Sequence, residues 1–336
     1  MTTRKPRPSR REVLGALAAG SVWLGLDGRL SAAAPTDKKP EVTFGLLADA
    51  QYADAQPAMD RQYRESVRKL AEAVGELNQR KLDFTIHLGD FIDRDFASFR
   101  AVASVYEKLA CPHYHVLGNH DFSVAPADKP KVLATMGLDK LGSRAGYYDF
   151  TVARWRFVAL NGTDVSTYAN APRSAKHTRA RALMSELKKR KRRNAAPWNG
   201  GFGAEQLAWL GRTLAAADKA RQRVVLFNHM PLFPDNAHNL YNDTDVLAVL
   251  DKHPNVAAVF TGHNHAGNYG ARNAVHHLTL RGMVQTRRNA YAVVEAYADR
   301  LRVTGFGREP SRTMTTRTAG ALARGTCKVI QPEDNE

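Results

Sequence analysis

An α/β fold is predicted by two observations. Short apolar runs of strand character alternate with amphipathic, helix-like segments from Val42 to about residue 265. Hydrophobic residues make up 43% of the 336, enough to bury a substantial core, so disorder is not the expectation.

The chain opens with basic residues Met1–Arg11, passes through the apolar stretch Val13–Leu26 and reaches the small residues Ser31-Ala32-Ala33-Ala34. That order reads as a signal peptide over residues 1–34, and its apolar stretch is too short to span a bilayer. Within it, Ser9-Arg10-Arg11-Glu12-Val13-Leu14 resembles a twin-arginine signal, so the twin-arginine export machinery is the expected partner and the bacterial periplasm or exterior the expected location. Removal of these residues, six basic and two acidic, lowers the formal charge from +16 to +12. No segment of the mature chain has the length and apolarity of a membrane span.

Residues 35–41 read as a polar spacer, 42–306 as the main domain, and 307–336, rich in Thr, Arg and Gly, as a tail that wraps the surface or frays. Strands are expected at Val42–Ala48, Asp83–Leu88, His113–Leu117, Tyr147–Val152, Trp155–Leu160, Arg223–Phe227, Val256–Phe260, Val275–Leu280, Tyr291–Ala296 and Leu301–Gly305. Apolar residues at three- and four-residue spacing predict helices over Met59–Gln79, Phe96–Leu109, Arg179–Lys189, Ala204–Ala216 and Thr244–Lys252. The basic, Ala-rich segment Ala171–Ala196 reads as an insertion, and its run Lys188–Arg193 as the solvated end of a helix. Cys111 and Cys327 stand far apart in sequence and outside any CxxC spacing, so they fix no pairing.

Five clusters of polar residues each follow directly on a strand-like run: Asp49-Ala50-Gln51, Gly89-Asp90-Phe91-Ile92-Asp93, Gly118-Asn119-His120-Asp121, Asn228-His229 and Gly262-His263-Asn264-His265. In α/β sheets the loops beyond the carboxyl ends of the strands line one crevice, so these clusters are expected to converge. Carboxylate and amide oxygens with imidazole nitrogens suit divalent Mn, Fe, Zn or Co, whereas the lack of Cys ligands argues against a structural zinc. Seven ligands are too many for one ion. Two ions sharing a carboxylate, with Asp90 as the candidate bridge, form the usual clamp for displacement at phosphorus, with the ions roughly 3.5–4 Å apart.

The motifs Gly89-Asp90-x-x-Asp93, Gly118-Asn119-His120-Asp121 and Gly262-His263-x-His265, in this order, resemble the calcineurin-like metallophosphoesterase superfamily over about residues 42–306. Asp49-Ala50-Gln51, where most members carry Asp-x-His, is similar to the manganese-dependent ADP-ribose/CDP-alcohol diphosphatases, as are Tyr63-Arg64-Glu65-Ser66, Asn199-Gly200-Gly201-Phe202 and His229-Met230-Pro231-Leu232. The resemblance implies a four-layer α-β-β-α sandwich of two mixed sheets. It places Asp49, Gln51, Asp90 and His265 on one ion, and Asp90, Asn119, His229 and His263 on the other. Gln51 supplies a neutral oxygen in place of a nitrogen, which favours harder ions and makes Mn²⁺ the first choice.

The expected reaction is hydrolysis of a nucleoside diphosphate-X substrate such as ADP-ribose or a CDP-alcohol to two phosphomonoesters, by water activated between the ions. His120 is the candidate for contacting a phosphoryl oxygen or protonating the leaving oxygen, and Asp93 for orienting its ring. Asn119, Arg94, Phe202 and Tyr52 are the further candidate substrate contacts, the two aromatics as stacking partners for a base. Arg94 gives Gly89–Arg94 the form found in phosphoprotein phosphatases. A phosphomonoesterase or cyclic-nucleotide phosphodiesterase using the same ions is the enzymatic alternative. A polyanion-binding protein built on Lys188–Arg193 is the non-enzymatic one, and nucleic acid is not the expected partner because every matched ligand position carries a competent residue. His113 and His115, inside a strand, read as packing residues, as do His87, His253, His276 and His277, while His177 and His238 read as exposed loop residues.

Overall fold

The computed structural model describes residues 39–141 and 145–317. The expected signal peptide, most of the spacer, the last part of the tail and Cys327 lie outside them, while the Cys111 thiol sits 3.4 Å from Thr85 Oγ1.

The chain runs through β1 (Val42–Leu47), α1 (Glu65–Asn78), β2 (Phe84–His87), α2 (Ser98–Tyr106), β3 (His113–His115), α3 (Val132–Thr135), β4 (Tyr148–Val152), β5 (Trp155–Ala159) and β6 (Val165–Ser166). It continues through α4 (Ala175–Lys189), β7 (Gly200–Gly201), α5 (Ala204–Lys219), β8 (Arg223–Phe227), α6 (Asp243–Leu250), β9 (Val256–Thr261), β10 (Asn268–Arg272), β11 (Val275–Thr279), β12 (Ala290–Ala296), β13 (Arg300–Gly307) and β14 (Arg312–Thr315). Two six-stranded mixed sheets result, ordered β14-β13-β12-β1-β2-β3 and β10-β11-β9-β8-β5-β4, with a small β6-β7 ribbon beside them. Strands β1, β2 and β3 run parallel in the first sheet, and β5, β8, β9 and β11 in the second.

The period-2 alternation of strands distributes the second sheet's side chains between two cores. On β8, Val225 and Phe227 join Phe44, Phe84 and Phe157 between the sheets, while Val224 and Leu226 face Leu210, Leu214 and Val246 of α5 and α6. Phe44 on β1 stacks on Phe84 at 4.9 Å and meets Phe157 and Phe227 edge-on at 5.5 and 5.9 Å, which welds the two sheets face to face. Leu70, Leu77, Phe99 and Val102 of α1 and α2 cover the first sheet. The architecture is the four-layer α-β-β-α sandwich.

Among the boundaries that differ from expectation, three have a clear local cause. Helix α1 begins six residues late, because Ala58 and Arg61 pair across a turn at Met59, whose φ is +51°. Helix α4 begins earlier, at Ala175, where Ser174 caps it by accepting from His177 N–H, and its first half carries too few apolar residues for periodicity to register. The domain also extends past residue 306, since β14 adds an antiparallel edge to β13 and Glu309 and Met314 are buried. No helix among the described residues is long and apolar enough to cross a membrane.

Candidate active site

All five polar clusters meet at one end of the facing sheets, beyond the carboxyl ends of β1, β2, β3, β8 and β9. The loops are sewn together by backbone bonds, Asp49 N–H to Gly89 O at 3.1 Å, Gln51 N–H to Asp90 O at 2.9 Å and Gly262 N–H to His229 O at 3.0 Å. Gly118 is required for this approach: a Cβ there would lie 2.2 Å from both Asp90 N and Asp90 Oδ1. Asp49, Gln51, Asp90 and His263 hold φ at +53°, +41°, +57° and +67°, left-handed values that non-glycine residues adopt at a cost of roughly 1–2 kcal/mol each.

Two groups of donors converge. Asp90, His229 and His263 have ligand atoms mutually within 4.8 Å, as do Asp49, Asp90 and His265, and Asp90 belongs to both. Gln51 Nε2 donates to Asp90 Oδ2 at 2.8 Å, and His229 Nε2 lies 3.2 Å from the same oxygen. Gln51 Oε1, both amide atoms of Asn119 and His229 Nε2 are buried without hydrogen-bond partners. Buried orphan donors and acceptors are costly unless something else engages them, and lone pairs gathered around a shared carboxylate are the environment a pair of divalent cations satisfies. The residues therefore fit two ions that would share Asp90, with His229 and His263 on one side and Asp49 and His265 on the other, and the unpartnered amide atoms of Gln51 and Asn119 buried beside them are the expected further ligands.

The imidazoles are held from behind. His229 Nδ1 lies 2.8 Å from Leu88 O, His263 Nε2 lies 2.8 Å from Asn199 Oδ1, and His265 Nδ1 meets the Gln285 amide at 3.1 Å. Burial works against a charged His229, but the Asp90 carboxylate outweighs it and lifts the ring to about 9; His263 is pushed well below its ordinary range by burial and by its neighbour His229. A bound cation competes with these protons for the same lone pairs.

A cavity of about 260 Å³ opens over the donors, lined by Gln51, Arg61, Asp90, Asn119, His120, Tyr168, Trp198, His238, His263 and His265. His120 Nδ1 lies 3.1 Å from Asp93 O and 3.2 Å from Asp93 Oδ1. Burial disfavours its charge, yet Asp90 and Asp93 together raise it to about 9. Asp93, buried beneath the wall, also accepts from Arg94 at 2.5 Å and faces Arg61 at 3.8 Å. A larger, mostly apolar cavity of about 410 Å³ behind Phe122 and Ala169 holds Lys176 paired with Asp164 at 2.5 Å and Lys129 bonded to Tyr168 O, and gathers no such donors.

The sequence pattern of the calcineurin-like phosphoesterase family matches residues 43–267. The chain belongs to this family. It is a metal-dependent phosphoester hydrolase with a dinuclear centre. A manganese-dependent ADP-ribose/CDP-alcohol diphosphatase of Danio rerio is 32% identical over 82% of this chain and 98% of the relative. One of Oryza sativa subsp. japonica is 31% identical over 80% and 92%. The crystal structure of a dimetal phosphatase from Danio rerio superposes with a TM-score of 0.76 at 29% identity, covering 83% of this chain and all of that one.

Three expected substrate contacts of the phosphoesterase lie elsewhere. Phe202 is 3% exposed and packs in the core beneath α5, so it offers no face to a base. Tyr52 is half-buried against the core, its backbone bridged to Ile92. Arg94 turns away to Asp93 and to the Tyr63 ring, 5.2 Å from its centroid, and does not line the cavity. The aromatic and cationic wall comes instead from Trp198, Tyr168 and Arg61. His238, expected to be exposed, lines the cavity and packs edge-on against His263 at 5.2 Å. His87 and His115 are buried among Phe91 and Tyr106, and His113 stacks edge-on against Tyr106. Within the basic run, Arg192 is an anchor that pairs with Asp243 at 2.8 Å and Asp235 at 3.3 Å. Asn199, Gln285 and Trp198 join the site without periodicity or cluster to mark them in the sequence, apart from the motif Asn199-Gly200-Gly201.

Proposed function

We propose that this phosphoesterase hydrolyses the phosphoanhydride of nucleoside diphosphate-X compounds, ADP-ribose or CDP-alcohols, using two Mn²⁺ ions. The observation that carries this reading is the pair of donor groups sharing Asp90 at the floor of a cavity whose walls supply cations, Arg61 and His120, and aromatic faces, Trp198 and Tyr168. The names of the relatives give the substrate class and the metal, and Gln51 supports the hard ion.

When bound, the ions supply Lewis acidity toward water and phosphoryl oxygens. The chain's residues do the rest. Asn119 and His120 stand where a phosphoryl oxygen is held, and Arg61 adds charge on the rim. His120, carrying a proton on the nitrogen away from Asp93, donates it to the leaving phosphate oxygen as water oxygen bonds to phosphorus and the P–O–P bridge breaks, and the proton that the attacking water sheds is released to solvent, from which the ring is recharged. Asp93 keeps the ring charged and aimed. Two phosphomonoesters result, AMP and ribose 5-phosphate from ADP-ribose.

The test measures AMP release from ADP-ribose and CMP release from CDP-choline with Mn²⁺, beside p-nitrophenyl phosphate, using Asp90→Asn as control. Preferred diphosphate cleavage, lost in the variant, is expected; turnover of the monoester alone would replace the reading with a phosphomonoesterase. Export rests on the leader alone, and Arg10→Lys with Arg11→Lys is expected to shift the protein from the periplasmic to the cytoplasmic fraction.

A further inference from the structure

We infer that Asn199 is a positioning residue for the metal centre: it fixes the tautomer and ring orientation of His263 and so sets the affinity of the one cation position that His263 serves. This rests on the two-ion reading of the cavity and not on the choice of substrate.

The amide of Asn199 can face His263 in only one way. Its Nδ2 donates to Asn194 O at 2.9 Å and to Ala237 O at 2.8 Å, which uses both amide hydrogens on carbonyl oxygens. Oδ1 is therefore the atom turned to His263 Nε2, 2.8 Å away, and an amide oxygen only accepts. Nε2 must carry the proton, which leaves the Nδ1 lone pair for the side shared with Asp90 and His229. Both residues are buried, Asn199 completely, so water offers no substitute acceptor.

The backbone explains why such a device is needed. His263 sits at φ +67°, tied by its own N–H to Asp49 at 3.1 and 3.2 Å, and His229 and His238 crowd its ring at 4.8 and 5.2 Å. Gly200 lets Asn199 come close, since a Cβ at Gly200 would stand 2.2 Å from Gly162 O. The same amide pins Ala237, the residue before His238, and follows directly on Trp198, so the cavity wall and one ligand share a single anchor.

The experiment titrates metal-free protein with Mn²⁺ and compares wild type, Asn199→Leu and Asn199→Asp. Both variants lose the pair of amide donations, and Asp in addition turns an oxygen toward the Asn194 and Ala237 carbonyls at a cost in stability, but only Asp keeps an oxygen facing Nε2–H. Wild type is expected to bind two ions. Asn199→Leu should weaken one about 10–100-fold and leave the other nearly unchanged, whereas Asn199→Asp should keep both within a few-fold. In ¹⁵N-histidine spectra, the Nε2-protonated signature of His263 should persist in Asp and be lost in Leu. Equal behaviour of the two variants, or equal weakening of both ions in Asn199→Leu, would reduce Asn199 to a structural tie and overturn the inference with the metal centre intact. Absence of Mn²⁺ binding by wild type would overturn the two-ion reading and this inference together. Thermal melts of the metal-free variants control for folding.

Discussion

The buried carboxylate of Asp121 holds the turn that presents Asp90. Its Oδ2 accepts from Asp90 N–H at 3.2 Å and Gly118 N–H at 2.8 Å, and its Oδ1 from Phe91 N–H at 2.7 Å and Ile92 N–H at 3.3 Å. Both oxygens are occupied by donors, so an asparagine in either orientation points its NH₂ at two backbone N–H groups. Asp121→Asn is expected to cost about 2–4 kcal/mol in urea unfolding and to weaken both cation positions, because Asp90 serves both. A change below about 0.5 kcal/mol would contradict the role.

Sharing of Asp90 makes the two ions unequal targets for mutation. Asp90→Asn should reduce the bound Mn²⁺ from two per chain to less than one, while His265→Ala should remove one; elemental analysis after gel filtration distinguishes the cases. Chelation should also lower the melting temperature, since a ligand bound only by the native state stabilises it by about 4 kcal/mol at a thousandfold excess over its Kd.

Trp198, 41% exposed on the cavity wall, is the aromatic face available to a base. Trp198→Ala should lower kcat/KM for ADP-ribose by roughly 5–100-fold, the range expected for one lost stacking contact, and leave p-nitrophenyl phosphate hydrolysis nearly unchanged. Phe202→Ala, by contrast, should act through stability, by about 3–5 kcal/mol, because that ring fills core.

Lys69, behind the loop that carries Gln285, gives a pH signature of its own. Its ammonium is fully buried and donates to Met283 O and to Thr286 O, the latter at 2.9 Å; burial, with Arg308 and Arg68 nearby, lowers its pKa from 10.5 to about 7. Between pH 7 and 10.5 the unfolded chain binds more protons at this residue than the native one, so its contribution to stability rises with pH across that window. The total is at most about 5 kcal/mol. Lys69→Met should lack this rise, so that the two unfolding profiles diverge across the window, and parallel profiles would show that Lys69 stays charged. Because its acceptors flank Gln285, which meets His265, the variant should also loosen that ligand.

Much of the centre was legible because each donor cluster sits immediately after an apolar run: Phe44-Gly45-Leu46-Leu47 before Asp49, Val225-Leu226-Phe227 before His229. The strand ends alone bring such residues together. Asn199, Trp198 and Gln285 do not sit directly at the end of a buried strand and reach the site through the path of loops, which no periodicity encodes. Phe202 and Arg94 misled for a related reason: a motif records that a residue is present, while its direction is set by partners such as Leu210 in the same core and Asp93. Strands β10 and β14 leave a weak strand signal because they are edges with exposed, polar positions at Tyr269, Arg272, Thr313 and Thr315.

The left-handed backbone at Asp49, Gln51, Asp90 and His263 places chemistry and durability in opposition. Glycine would occupy each of these positions with less steric conflict, but it would orphan the groups these side chains bind, such as His263 N–H, which Asp49 accepts, and His120 N–H, which Asp90 accepts. The loops therefore carry residues that their backbone angles disfavour, and their order depends on the bonds those side chains make.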